Sequence, residues 1–171
     1  RDVLQKDAVI KPAKLKTLVN NTLSKLKKNR ISDGTATKKD ILKLVNKMQK
    51  SMSAIKKLEK KNSLQMKKRF QRYKKELDIK GKDLNMTEIF ATLGKSDINE
   101  EVVRFDSHLG LVANLIKSKN NIGKKLDFYT QEMLREANTM SSKALISEIK
   151  NEAVDIKSSI ERMKEHAQNI E

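Results

Sequence analysis

Two groups of charged side chains have the types and spacing that phosphodiester chemistry would use. Glu132 and Glu136 stand four residues apart, so a helix through them sets both carboxylates on one face, with Arg135 beside them. Carboxylate oxygens suit Mg²⁺ or Mn²⁺, which bind one or two of them and keep several waters. A metal held this way polarises a phosphoryl oxygen or activates water. The second group is Glu100, Arg104 and His108, spaced four and four, with Glu101 adjacent. On one helix this makes a stripe of acid, cation and imidazole. The guanidinium suits a phosphate, and the imidazole suits proton transfer near neutral pH. On spacing alone the simpler reading prevails for both: an ordinary solvated helix face for the first group, and a salt-bridge ladder with a surface histidine for the second.

A third feature is the concentration of lysine. Residues 1–80 hold 25 Lys/Arg against 7 Asp/Glu, whereas residues 81–171 hold 13 against 15, and the whole chain carries +16 at pH 7. The basic half attracts a polyanion, with an affinity that falls steeply as salt rises. The densest stretch is Lys56, Lys57, Lys60, Lys61, Lys67, Lys68, Arg69, Arg72, Lys74 and Lys75. It reads either as a surface for a nucleic-acid backbone or as the solvated face of a coiled coil. Phe70 and Tyr73 lie among these residues, but their spacing puts them on the apolar seam, so base-specific readout is not indicated there.

Several chemistries are excluded. The chain has no cysteine, hence no disulfide, thiolate metal site or cysteine nucleophile. It contains no phosphate-cradling GxxxxGK[ST], no GxGxxG, no HExxH and no nucleophile elbow. Its two histidines are too few for a histidine-rich zinc site. No apolar run reaches the length of a membrane span, and the first residues lack a signal-peptide pattern. The chain begins at Arg1 without an initiator methionine and reads as a fragment or a truncated product.

Helices must position these groups. With five Gly, one Pro and 4% aromatics, the composition suits long amphipathic helices with aliphatic, methionine-rich contacts rather than a sandwich or barrel. Leu15, Leu18, Val19, Leu23 and Leu26 predict a helix over 13–30, closed by a turn at Ser32-Asp33-Gly34. Thr37 then reads as an N-cap, with Asp40 in the following turn. A seam from Ile41 to Leu77 at close to 3.5-residue spacing predicts a helix over 38–79. Asn62 interrupts this seam, so the segment is expected to be either one arm or a hairpin broken near 60–63. Further helices are expected at 85–93, 98–119, 124–138 and 143–170, with breaks at Asn120–Gly123 and Ser141-Ser142. The last three are of similar register and predict an antiparallel bundle.

The later helices also carry a resemblance. Gly123-Lys124-Lys125-Leu126-Asp127-Phe128 resembles the GRKLDF segment of the YicC/YloC family, and residues 131–143 resemble its QEMNREANTIGSK segment. Residues 97–109 are similar to its DITEELVRLxSHL, and Gln168-Asn169-Ile170-Glu171 to its QNIE ending. The resemblance covers about 85–171. Residues 13–80 match only in helical pattern and a short echo at 69–73. Leu134 stands where the family has Asn, Ser141 where it has Gly, Lys11-Pro12 where it has Glu-Gly, and Leu84 and Thr87 where it has Arg and Gln.

The family is one of divalent-metal-dependent endoribonucleases preferring single strands, cytoplasmic and oligomeric, with an α/β domain ahead of the helical part. The resemblance therefore implies an all-α chain, a long basic helical arm or hairpin followed by an antiparallel bundle, with the N-terminal domain mostly absent. Residues 1–36 would be a remnant of the junction, 37–82 the arm and 83–171 the helical domain. It implies RNA as partner, a homo-oligomer, a cytoplasmic location, no membrane and Mn²⁺ or Mg²⁺ as cofactor. The expected activity is hydrolysis of single-stranded RNA by the protein or the part of it present here. The alternatives are a non-catalytic RNA-binding module and a structural oligomerisation fragment. The residues that follow from the motifs and the chemistry together are His108, Arg104 and Arg135 for catalysis, and Glu132 and Glu136 for metal. Lys56, Lys60, Lys67, Lys68, Arg69, Arg72 and Lys143 would bind RNA, with Glu100, Glu101, Asp127, Gln131 and Asn138 in support.

Overall fold

In the computed structural model, the described residues are 12–79, 97–118 and 121–170. They form four helices and no strand: α1 (Pro12–Ile79), α2 (Asn99–Leu115), α3 (Gly123–Lys143) and α4 (Ser147–Gln168). The expected helix at 85–93 lies outside the described residues. None of these helices is long and apolar enough to cross a membrane. The chain divides into a first unit ending at Lys38 and a second from Lys39 onward.

In the first unit, α1 begins at Pro12, where a missing N–H costs nothing. Ser32-Asp33-Gly34 is helical rather than a turn, and Thr37 is not an N-cap. Gly lowers helix stability by only about 1 kcal/mol relative to Ala, which helix-favouring neighbours outweigh. Thr17, Thr22 and Thr35 turn their hydroxyls back onto the carbonyls of Ala13, Leu18 and Ile31, so these residues are accommodated inside the helix. Leu15, Leu18, Val19, Leu23 and Leu26 remain about half exposed, as an unburied apolar row.

The second unit holds the core. From α1 it takes Ile41, Leu44, Val45, Met48, Met52 and Ile55, at three- and four-residue steps. From α2 come Val102, Phe105, Leu109 and Val112, from α3 Leu126, Met133, Ala137 and Met140, and from α4 Ile149, Ile156, Ile160 and Met163. Phe105 is fully enclosed. Burying one such side chain contributes about 1.5–3 kcal/mol. Flexible methionines fill the spaces between aliphatic residues in this aromatic-poor core.

Paired residues fix the directions of the helices. Asp40 meets Arg162 and His166, Lys47 meets Asp155 and Lys61 meets Glu148, so α4 runs antiparallel to α1. Glu101 meets Lys143 and Arg104 meets Glu136, so α3 runs antiparallel to α2. Gly123, at the start of α3, lies against the carbonyls of Ala167 and Ile170 at the end of α4. The second unit is thus an antiparallel bundle, to which α1 contributes buried core side chains from Ile41 to Ile55.

At 60–63 the chain takes the unbroken alternative, and the break expected at Ser141-Ser142 falls a little later. α1 continues through residues 60–63, and Asn62 does not interrupt it: the buried Asn62 Oδ1 accepts the Leu145 N–H at 2.8 Å. The seam changes character there because a backbone group of the α3–α4 connection needs an acceptor. α3 runs on through Ser141-Ser142, with Ser142 Oγ donating to the Thr139 carbonyl. The chain leaves the helix at Ala144, whose backbone is extended, and α4 starts at Ser147.

Candidate functional site

The α2–α3 seam gathers most of the carboxylates singled out above. Arg104 Nη2 donates to Glu100 Oε1 one turn earlier, and its Nη1 lies 3.9 Å from Glu136 Oε1 on α3. Glu136 is buried, whereas the Arg104 side chain is 57% exposed. The guanidinium thus shields an interior carboxylate on one side and faces solvent on the other. One turn earlier, Lys143 Nζ donates to Glu101 Oε1 at 2.8 Å. Glu101 is also buried, and its Oε2 has no hydrogen-bond partner among the described residues. A carboxylate enclosed this way needs a cation, and Lys143 supplies it. Lys143, expected on RNA, has its ammonium engaged within the bundle.

Glu132 shares a face with Glu136 and is half-buried, with no ion pair or hydrogen bond among the described residues. No group of three or more potential metal ligands occurs among those residues. Glu132 and Glu136 thus offer two carboxylates on one face of α3. That donor chemistry fits Mg²⁺ or Mn²⁺, which accept few protein ligands and complete their shell with water or phosphate.

His108 lies on α2 one turn after Arg104 and is half-buried. Its ring packs on Tyr129 of α3, with centroids 6.1 Å apart, and its Nδ1 is buried without a hydrogen-bond partner. Tyr129 in turn meets Phe128 edge-on at 5.5 Å. Asp127 Oδ2 accepts from Gln131 Nε2 at 2.9 Å, and the Asp127 carbonyl accepts from Thr130. Arg135 and Asn138 are exposed on α3, and the Arg135 carbonyl accepts the Thr139 hydroxyl.

The basic face of α1 falls into two parts. Lys47, Lys56 and Lys61 are tied to Asp155, Asp106 and Glu148. Glu148 is held down to about 2 from its ordinary 4.5, first by the hydrogen bond from Lys61, then by its own backbone N–H and by Ser147. Asp40 is lowered mainly by its hydrogen bond with His166, with Arg162 and Lys43 adding to it. By contrast, Lys57, Lys60, Lys67, Lys68, Arg69, Arg72, Lys74 and Lys75 are exposed, with no acidic partner among the described residues. A groove of about 490 Å³ lies between Gln65, Lys68, Arg69 and Arg72 of α1 and Leu145. A second, of about 390 Å³, is lined by Lys56, Lys60, Ser63, Leu64 and Lys67, with Glu59.

Reading the sequence helix by helix misses the ring cluster Phe128–Tyr129–His108, because its third member comes from another helix. The one available signal is an adjacent aromatic pair in a chain with 4% aromatics.

The described helices thus form a bundle with an exposed cationic face on α1 and two buried carboxylates, Glu101 and Glu136, at the α2–α3 seam. Residues 51–171 match the family described as "Endoribonuclease YicC-like, C-terminal". The chain is 49% identical over 77 residues to "Probable endoribonuclease YicC" of Clostridioides difficile, covering 45% of this chain and 26% of that protein. It is 41% identical over 75 residues to the "Probable endoribonuclease YicC" of Haemophilus influenzae, covering 44% and 26%. The chain belongs to the YicC-like endoribonuclease family and carries the C-terminal part that defines it. These matches span about a quarter of the length of the curated relatives.

Proposed function

We propose that this chain serves a metal-dependent endoribonuclease acting on single-stranded RNA. In this reading the cationic face of α1 holds the strand and the α2–α3 seam does the phosphodiester chemistry. The observation that carries it is the set of exposed cations Lys57, Lys60, Lys67, Lys68, Arg69, Arg72, Lys74 and Lys75, which have no acidic partner among the described residues while Lys47, Lys56 and Lys61 are paired. Cations left over after internal pairing are the ones available to phosphates.

Glu132 and Glu136 would hold the divalent ion. When bound, such an ion polarises a phosphoryl oxygen and activates water. Arg104, open to solvent and anchored by Glu100, orients a phosphate at the mouth of the seam. Arg135, exposed one residue from Glu136, adds a second positive group. His108, half-buried beside Tyr129, is the group suited to moving a proton at neutral pH. Glu101 and Lys143 fix the spacing of α2 and α3, while Asp127, Gln131 and Asn138 shape the solvent side of α3.

The same reading places the protein in the cytoplasm as a homo-oligomer. The unburied row Leu15, Leu18, Val19, Leu23 and Leu26 supports association, since water leaves such a row uncovered at a cost. A second reading is a module that binds RNA without cutting it: the exposed cations of α1 support binding, and no group of three or more potential metal ligands occurs among the described residues.

The deciding experiment incubates the chain with labelled single-stranded RNA in Mn²⁺ or in EDTA, on a denaturing gel beside a native one. Metal-dependent cutting supports the enzyme reading. A shift without cutting supports the binding module, and neither shift nor cutting overturns both.

A further inference from the structure

The rings of His108, Tyr129 and Phe128 form a continuous cluster across α2 and α3. His108 and Tyr129 are half-buried and tilted at 42° to one another. Phe128 stands edge-on to Tyr129 at 66° and is 56% exposed. A lone exposed apolar side chain needs no explanation. Here, however, the exposed ring is braced by a second ring, and the second by a third. Phe128 is thus held in place on a bundle whose core uses almost no aromatic residues.

The surroundings select the occupant. Lys124 and Lys125 are exposed at the start of α3, one turn before Phe128 and Tyr129 on the same faces, with no acidic partner among the described residues. Of the carboxylates near Phe128 on this helix, Asp127 is engaged by Gln131, and Glu132, one turn further on and half-buried, is the one proposed above to hold the divalent ion. An aromatic ring with ammonium groups one helical turn away, about 5 Å along the axis, presents a π face and a phosphate counter-charge together. That is the chemistry of an unpaired nucleotide, whose base stacks and whose phosphate is neutralised.

We propose that Phe128, braced by Tyr129 and His108, is a stacking platform for one unpaired base of a single-stranded RNA, with Lys124 and Lys125 holding the adjoining phosphates. This rests on the RNA reading above and gives it a specificity that the lysine face lacks: preference for strands whose bases are free. A duplex would present only its backbone to this surface.

The chain has no tryptophan, so Phe128→Trp places a single reporter on the platform. Its emission is read during titration with a short oligoadenylate and with an abasic phosphodiester strand of equal length. Quenching is expected with oligoadenylate and not with the abasic strand. Phe128→Ala is expected to lower oligoadenylate affinity about tenfold, the order of one base–aromatic stack, and to leave abasic affinity unchanged. Phe128→Leu, which keeps the apolar surface without the π face, should resemble Phe128→Ala. Equal quenching by both strands, or oligoadenylate affinity retained in either variant, overturns the platform while the RNA reading stands. Failure of both strands to bind overturns the two together.

Discussion

Lys143 on α3 places its Nζ 2.8 Å from Glu101 Oε1 on α2, closing an ion pair whose acidic member is buried and whose basic member is 26% exposed. Removing the cation leaves an interior carboxylate uncompensated. Lys143→Met should therefore lower stability by about 2 kcal/mol, less than the ~3–5 of a fully buried pair because water reaches the lysine. The double variant Lys143→Met/Glu101→Leu should recover most of that loss. Urea midpoints of the four proteins give the coupling directly. Additive losses would mean the pair holds nothing.

Gly123 begins α3 where α4 ends, and a Cβ there would run into the Ile170 carbonyl oxygen and come within 3.1 Å of that of Ala167. Both obstacles are backbone, which cannot rotate away. Gly123→Ala should cost about 1–3 kcal/mol, the range of overpacking, despite alanine's better helix propensity. Thermal unfolding measures it. Gly110 has nothing within 4 Å of the equivalent point, so Gly110→Ala should be neutral or stabilising.

The apolar faces were legible in the sequence, and the pairings between them were not. Ile98, Val102, Phe105, Leu109, Val112 and Ile116 announce one face of α2, and all are buried. Ile149, Ala153, Ile156, Ile160, Met163 and Ala167 do the same for α4. Three- and four-residue spacing is a local property and survives folding intact. Arg104 meeting Glu136, or Asn62 meeting the Leu145 N–H, depends on how far one helix slides along another, which no local pattern encodes. Leu145 was assigned to the last helix by its spacing, yet it lies in the extended connection before Ser147. Ser32-Asp33-Gly34 misled in the opposite way, since residues that favour turns were overruled by helix-forming neighbours. Of the candidate site, the residue types were visible; which carboxylates are interior was not.

Acid should loosen the contact between α1 and α4. Glu148 is depressed from 4.5 to about 2 and Asp40 is also lowered, so the folded state binds these protons less readily than the unfolded chain. Their contribution is full above the ordinary carboxylate range and is lost as pH falls through the folded value. Glu148→Gln should be less stable than the parent at pH 7, and the difference should shrink as pH falls from 4.5 toward about 2. Urea unfolding across that range checks it; a difference independent of pH would contradict the assignment to Lys61.

Glu136→Gln keeps the shape of an interior side chain and removes its charge. With Mn²⁺ present, RNA cleavage should be lost while RNA binding persists if the cations of α1 hold the strand as proposed. Denaturing and native gels read the two separately. Undiminished cleavage would remove Glu136 from the chemistry.

The salt dependence of single-stranded RNA binding tests the cationic face of α1 most directly. Each phosphate contact adds about 0.7 to the slope of log affinity against log salt for single strands. Replacing Lys60, Lys67, Lys68 and Arg72 together by Gln should therefore flatten that slope by roughly 3 and weaken binding across all sequences alike. A slope unchanged from the parent would mean that RNA, if bound at all, is held elsewhere.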